Sequence, residues 1–315
     1  MKFLIKDGMK NKYSIVIFGT GSIGRRHYKI GSNIKKCQCS IFSRSTYRNN
    51  ELRKSGYSIF DFKKKYDLGI IATESSNHFY DFEAYNKYAD KWIIEKPLIS
   101  IYSNNKIEFL NFKNNLYVGY NKRFELGIKE LKKFSLKNKI YKAHFKCFSN
   151  LENWRNENIS KSISLKKEKG GGVINELSHE IDLANYLLGS INNIDGFAKQ
   201  RKYKKSNVED TAFLKLEHKN GSHSKIDLSF GCSKEIRKVI FYCENKKIIY
   251  DHLNGDMFEI NKSSKCLLNN FKENRDKSFE RQIKCLLEDD YTFATPCSSY
   301  DGLSYIKLSK HLAWK

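Results

Sequence analysis

Glu95-Lys96-Pro97 closes the apolar run Trp92-Ile93-Ile94. In open α/β sheets, ligands gather beyond the carboxyl ends of the strands. A lysine in that position can bind a substrate oxygen or move a proton. The chain keeps only 2 prolines in 315 residues, so Pro97 marks a place where the backbone needs one. A free lysine titrates near about 10.4, and one that works as a base needs burial or a nearby cation.

The second set of residues with chemical meaning is Gly19-Thr20-Gly21-Ser22-Ile23-Gly24, which follows the β-branched run Tyr13 to Phe18 and opens a basic helical stretch. That spacing fits a dinucleotide fingerprint. The glycines allow a tight turn, a close approach of backbone to pyrophosphate, and close packing of helix on strand. The helix start then offers amide donors to the phosphates. An NAD site usually carries an acid about 20 residues further on, to accept from the ribose hydroxyl. Here Ser43-Arg44-Ser45 stands after the second strand instead. A guanidinium flanked by hydroxyls suits a 2′-phosphate, so NADP is favoured over NAD; Arg44 stacked on adenine would accept either.

A third set follows Gly170-Gly171-Gly172. Val173 to Leu188 reads as one helix ending at Gly189, with Leu177, Ile181, Ala184 and Leu188 on its apolar face. Glu176, His179 and Asp182 then form a separate polar stripe, which is either part of a site or a local charge network. The glycine triplet would let another backbone or a ligand approach the helix start.

The elements that must position these residues alternate at first. Strands at Cys39 to Phe42, Leu68 to Ala72, Trp92 to Ile94 and Leu116 to Gly119 are interleaved with helices at Phe79 to Ala89 and Ile107 to Phe112. This alternation predicts a doubly wound parallel sheet. Beyond residue 122, Lys142 to Phe148, Thr211 to Glu217, Ser224 to Phe230 and Val239 to Cys243 cluster β-formers without intervening helices. A mainly antiparallel sheet in an α+β second domain follows. The division is therefore an α/β domain over 1–122 and an α+β domain over 123–315. The polar stretch Ser149 to Lys169 is long enough to be functional or disordered.

Composition narrows the alternatives. The formal charge of +23 raises a nucleic-acid or anionic-surface partner, but the lysines are scattered through every segment with no basic tail and no aromatic-interleaved patch. No nucleic-acid partner is expected; a positive field would still draw in an anionic sugar nucleotide. The 8 cysteines show no Cys-x-x-Cys pair and no zinc-ligand spacing, so reduced thiols and no metal are expected. Without an apolar run of about 20 residues or a signal-peptide core, the expected location is cytoplasmic.

Taken together, these motifs resemble the Gfo/Idh/MocA oxidoreductases (relatives of glucose–fructose oxidoreductase and inositol dehydrogenase). The landmarks are Gly19 through His27, Ala72-Thr73 through His78, Glu95-Lys96-Pro97, Gly119 through Phe124, and Gly170 to Asp182. The resemblance implies Lys96 as the catalytic lysine, on a cis peptide bond to Pro97, with His179 close to substrate. It implies that 1–122 is an NAD(P)-binding Rossmann domain and 123–315 a substrate and oligomerisation domain, adds Thr73, His78, Glu95 and Lys96 to the cofactor side, and implies a homo-oligomer, a dimer or tetramer. Trp154-Arg155 resembles a subset linked to surface-sugar metabolism and would face the substrate together with Arg123. Two departures stand out: many members carry Asp where Glu176 aligns, and many place the histidine four residues later rather than three.

The function expected is reversible hydride transfer between nicotinamide and a sugar or nucleotide-sugar carbinol carbon. Lys96 would be the acid/base, His179 would tune it or orient the hydroxyl, and Glu176 would hold the histidine tautomer or touch the sugar. The alternative is a catalytically inactive cofactor-binding sensor or scaffold.

Overall fold

The computed structural model describes residues 12–103, 115–154, 159 and 162–312. The helix expected over 107–112 and Arg155 lie outside the described residues. The first layer is built from β1 (Tyr13–Phe18), α1 (Ser22–Asn33), β2 (Cys37–Phe42), α2 (Thr46–Lys54), β3 (Tyr66–Ile71), α3 (His78–Tyr85), β4 (Ala89–Ile94) and β5 (Leu116–Val118). β1 consists largely of β-branched and aromatic residues, and its last four are buried. Burial on both faces is what a central parallel strand requires. The helix expected over 79–89 ends earlier, because a 3₁₀ turn at Asn86–Tyr88 leads directly into β4.

The second layer comprises α4 (Leu126–Lys137), β6 (Lys142–Asn150), α5 (Val173–Glu176), α6 (His179–Leu188), β7 (Ile191–Lys199), β8 (Thr211–His218), β9 (His223–Ser229), β10 (Gly231–Tyr242), β11 (Lys247–Asp251), β12 (Asp256–Ile260) and β13 (Lys265–Asn270). Then come α7 (Asp276–Glu288), β14 (Cys297–Ser298) and α8 (Ser299–Ser309). The first sheet has strand order β14-β5-β4-β3-β1-β2, with β14 antiparallel to β5 and the rest parallel. The second is eight-stranded, in the order β13-β12-β11-β10-β6-β9-β8-β7, and is antiparallel except where β6 pairs β9. The α/β plus antiparallel-sheet architecture is as expected. A division at residue 122 leaves β14 and α7 on the far side, although β14 hydrogen-bonds to β5 and α7 packs against α1 and β3.

One strand relationship places the chemistry. Gly19 follows β1, Ala72-Thr73 follow β3, Glu95-Lys96 follow β4 and Gly119 follows β5. Because these strands are parallel, all four motifs come out on the same edge of the sheet, around the switch point between β1 and β3. In the second sheet, Ala143, Phe145, Cys147, Ile226, Leu228, Val239 and Phe241 alternate into the core. That inner face packs against α6. No helix among the described residues is long and apolar enough to cross a membrane.

The single helix expected over 173–188 is two helices. α5 ends at Glu176, and Leu177 leaves helical geometry with φ −102° and ψ 24° before α6 begins at His179. The i, i+3, i+6 stripe holds only along a continuous helix. The break sends its three members to different partners.

Candidate active site

Gly19 adopts φ +118°, a region that side chains avoid, and a Cβ there would collide with the carbonyl of Ala72. A Cβ on Gly24 would collide with the carbonyl of Gly19, so α1 lies directly against the turn. A Cβ on Gly21, by contrast, would meet nothing within 4 Å. The turn is tight on its inner side and open on its outer side, a cradle that fits a pyrophosphate. Ser22 and Ile23 of the turn line a cavity of about 780 Å³ between the two sheets, whereas Thr20 belongs to the turn itself, its carbonyl accepting from Arg25 Nε at 3.1 Å.

The cavity is roofed by the Lys96 loop and floored by the start of α6. The Lys96–Pro97 bond is cis. Lys96 Nζ donates to the Glu176 carbonyl at 2.8 Å and to Glu176 Oε2 at 3.2 Å. Ser164 Oγ donates to Glu176 Oε1 at 2.7 Å and fixes the carboxylate from its other side. An ammonium has three donors, so one is left for an oxygen in the cavity. Glu176 thus holds the lysine; it makes no hydrogen bond to His179, and its expected role as keeper of the histidine tautomer is corrected.

His179 lines the same cavity. Burial, and then Arg237, Lys96, Lys122 and Arg275, hold its pKa well below the ordinary value, so the ring is neutral at pH 7. Its Nδ1 is buried without a partner. Glu95 lies under Lys96. Its Oε1 stands 2.7 Å from His27 Nε2, and its Oε2 accepts the Lys96 amide at 3.2 Å. Burial pushes this carboxyl up, but His27 and Lys96 outweigh it and hold the pKa below the usual range.

Several expected site residues do something else. Arg123 is buried and paired bidentately with Asp182, with Nη2–Oδ1 at 2.6 Å and Nε–Oδ2 at 2.9 Å. Its guanidinium also lies over the Tyr186 ring, and its charge is committed inside the second domain. Asp182, the third member of the stripe, leaves the site with it. His78 turns both ring nitrogens to protein carbonyls, Nδ1 to Pro97 at 3.0 Å and Nε2 to Thr73 at 3.2 Å. It braces the two loops that edge the cavity, and burial lowers its pKa. Protein closely approaches the glycine triplet, since a Cβ on Gly172 would meet Glu209 Oε1 at 2.6 Å and Glu209 Oε1 accepts the Ile174 amide at 3.1 Å, while Gly170 lines the cavity.

The remaining expected residues are placed in or beside the cavity. Thr73 lines the cavity while its hydroxyl donates to Asp81 at 2.7 Å. Trp154 lines the opposite wall, its indole held by Ser149 Oγ at 2.8 Å. Arg44 is exposed after β2, its Nε 3.7 Å from Asp81 Oδ1, and the Ser43 amide is pinned by Asn49 Oδ1 at 2.8 Å.

The sequence reading missed a second polar group on the cavity wall. Lys122 Nζ lies 2.5 Å from Glu125 Oε1, and His252 Nδ1 lies 2.8 Å from Glu125 Oε2. Arg237 Nη2 donates to Glu180 Oε2 at 2.9 Å. Arg275 makes no ion pair among the described residues, though the charges of Glu95 and Asp276 act on it. Lys122 sits beside the residue that was singled out, so a local signal existed. Arg237, His252 and Arg275 arrive from β10, the β11–β12 turn and the start of α7, with no local signal at all.

Residues 143–249 match the GFO/IDH/MocA C-terminal domain family. No protein of curated function matches the chain by sequence. Among solved structures, the chain is similar to UDP-N-acetylglucosamine 3-dehydrogenase GnnA from Acidithiobacillus ferrooxidans, at 16% identity and a TM-score of 0.75 over 96% of each chain. It is similar to levoglucosan dehydrogenase in complex with NADH and L-sorbose, at 13% identity and a TM-score of 0.80 over 96% of each chain. A third is the WlbA dehydrogenase from Bordetella pertussis in complex with NADH and UDP-GlcNAcA, at 15% identity and a TM-score of 0.72 over 94% of each chain. The chain thus carries a Gfo/Idh/MocA C-terminal domain over residues 143–249, joined to a doubly wound α/β domain, and its overall fold is similar to that of these dehydrogenases.

Proposed function

We propose that this protein is an NAD(P)-dependent oxidoreductase acting on a CH–OH group of a sugar or nucleotide sugar, in surface-carbohydrate metabolism. The observation that carries the reading is Lys96 Nζ, held by Glu176 with one donor free, in a cavity that reaches the open side of the glycine turn. The nicotinamide, when bound, would supply the hydride acceptor or donor. Gly19 to Gly24 would hold the pyrophosphate, and Thr73, Glu95 and Lys96 would edge the nicotinamide end. Lys96 would exchange the hydroxyl proton, and neutral His179 would hydrogen-bond the reacting oxygen or its neighbour. Trp154 offers an apolar wall for a sugar face.

Lys122 and Arg237 on this wall are paired with Glu125 and Glu180, so Arg275, which makes no ion pair among the described residues, is the cation there that favours an anionic substrate, and so a nucleotide sugar over a neutral one. Two of the dehydrogenases to which the chain is similar are named with UDP-sugars. Ser43-Arg44 beside the ribose side of the turn favours NADP. Assembly as a dimer or tetramer belongs to the same reading, through the outer face of the eight-stranded sheet, where Phe197 is 41% exposed beside Phe213.

The test is to incubate the protein with NAD⁺ or NADP⁺ and a panel of UDP-hexoses and free hexoses, following nicotinamide absorbance. Turnover of a UDP-sugar that Lys96→Met abolishes supports the reading. Cofactor binding with no turnover across the panel overturns it in favour of a sensor.

A further inference from the structure

His27 and Glu95 form a buried ionisable pair that the acid/base assignment does not use. His27 comes from α1, three residues after the last glycine of the turn, and is 0% exposed. Its Nε2 lies 2.7 Å from Glu95 Oε1. A carboxylate only accepts, so Nε2 carries the proton. The other carboxylate oxygen accepts the amide of Lys96. The niche is close-fitting: a Cβ on Gly119 would stand 3.0 Å from the Glu95 carboxyl, and the edge of the His27 ring lies on Phe279. A continuous chain of contacts therefore runs from the glycine-turn helix through His27 and Glu95 to the backbone of Lys96.

We propose that His27 is a positioning residue for Lys96, acting through Glu95; the idea rests on Lys96 being the acid/base of the function proposed above. Its hydrogen bond keeps Glu95 ionised and aimed at the Lys96 loop. The ionised Glu95 in turn holds the Lys96 peptide and places a negative charge under its ammonium. Without His27, a carboxyl in that niche has lost its strongest donor, and burial favours the neutral acid. The charged groups around the pair are Lys96 and Arg275 ahead of α7, and the titratable one is His78 from α3, whose pKa burial lowers. On the far side of Lys96 stand Glu176 and His179.

The experiment compares wild type, His27→Leu, His27→Gln and Glu95→Gln, and combines His27→Leu with Glu95→Gln. Two readings are taken: turnover of UDP-N-acetylglucosamine and its uronic acid against pH, and the pH dependence of Lys96 labelling by acetic anhydride, followed by mass spectrometry without cofactor or substrate. His27→Leu is expected to lower kcat about tenfold or more, the scale of a misplaced catalytic group, with a smaller change in KM. The acid limb of its pH profile moves up, because Glu95 now takes a proton at higher pH, and Lys96 labels at lower pH than in wild type. His27→Gln, which keeps a donor, restores both, and His27→Leu adds nothing once Glu95 is Gln. Thermal melting confirms that each variant is folded. A folded His27→Leu with the wild-type Lys96 labelling curve overturns the proposal, whether or not a substrate is turned over. A wild type that labels as described but oxidises neither sugar overturns the function reading alone.

Discussion

Lys96 and Glu176 meet across the domain boundary: the lysine follows a strand of the first sheet, and the glutamate ends a one-turn helix of the second layer. The ammonium contacts both the carbonyl and the carboxylate of that one residue, at 2.8 and 3.2 Å. The two layers are thereby registered to each other at the wall of the cavity. A residue in this position can orient the lysine without blocking its third donor.

Replacing the lysine should cost chemistry and spare binding. Lys96→Met is expected to reduce kcat by about 10²–10⁴-fold, the range for a positioned acid/base, while NADPH still quenches protein fluorescence. Glu176→Gln keeps the carbonyl contact and loses the charge, and is expected to reduce kcat less. Steady-state kinetics on a UDP-sugar checks both, and a Lys96→Met enzyme with near-normal turnover would refute the assignment.

Arg123 should matter for stability and not for substrate. Its guanidinium and Asp182 are both at least 96% buried by side-chain exposures of 4% and 0%. Breaking such a pair from one side strands a buried charge and costs about 3–5 kcal/mol. Arg123→Leu is expected to lower the urea midpoint strongly, whereas Arg123→Leu with Asp182→Leu recovers much of the loss. If the single variant were stable but raised only KM, Arg123 would belong to the site after all.

On the proposed reading, the cofactor preference should turn on Arg44. One charge-assisted contact to a 2′-phosphate is worth about 1.5–3 kcal/mol, so Arg44→Ala should weaken NADPH by about tenfold or more. NADH, which lacks that phosphate, should hardly respond. Fluorescence titration of both cofactors decides it, and equal loss for the two would remove the case for NADP.

Stability should fall on mild acidification. Burial lowers the pKa of His78, His179, His218 and His252 from the ordinary 6.5. Their folded pKa values lie below the unfolded one, so the unfolded chain takes up protons first and stability is lost as pH falls below 6.5. Glu95 and Glu125, whose pKa values are also lowered, contribute a second loss that begins only below their ordinary 4.5. Melting temperatures that decline between pH 7 and 5, and again below pH 4.5, are expected; a flat profile over the first window would contradict the neutral burial of the histidines.

Local chemistry made the first half of the site legible in the sequence. A glycine turn, a lysine before a rare proline and a strand–helix alternation are short-range patterns, and parallel strands deliver their ends to one edge whatever the loops do. That is why Gly19 to Gly24, Glu95 and Lys96 could be singled out and placed together. Tertiary structure alone decided the rest. A break at Leu177 and Ser178, which helical periodicity cannot register, handed Glu176 to Lys96 and Asp182 to Arg123. Arg237, His252 and Arg275 reach the cavity only because long-range pairing of β10 and the docking of α7 on α1 carry them there. His27 sits three residues past the glycine turn, and only its buried contact with Glu95, 68 residues away, gives it a role.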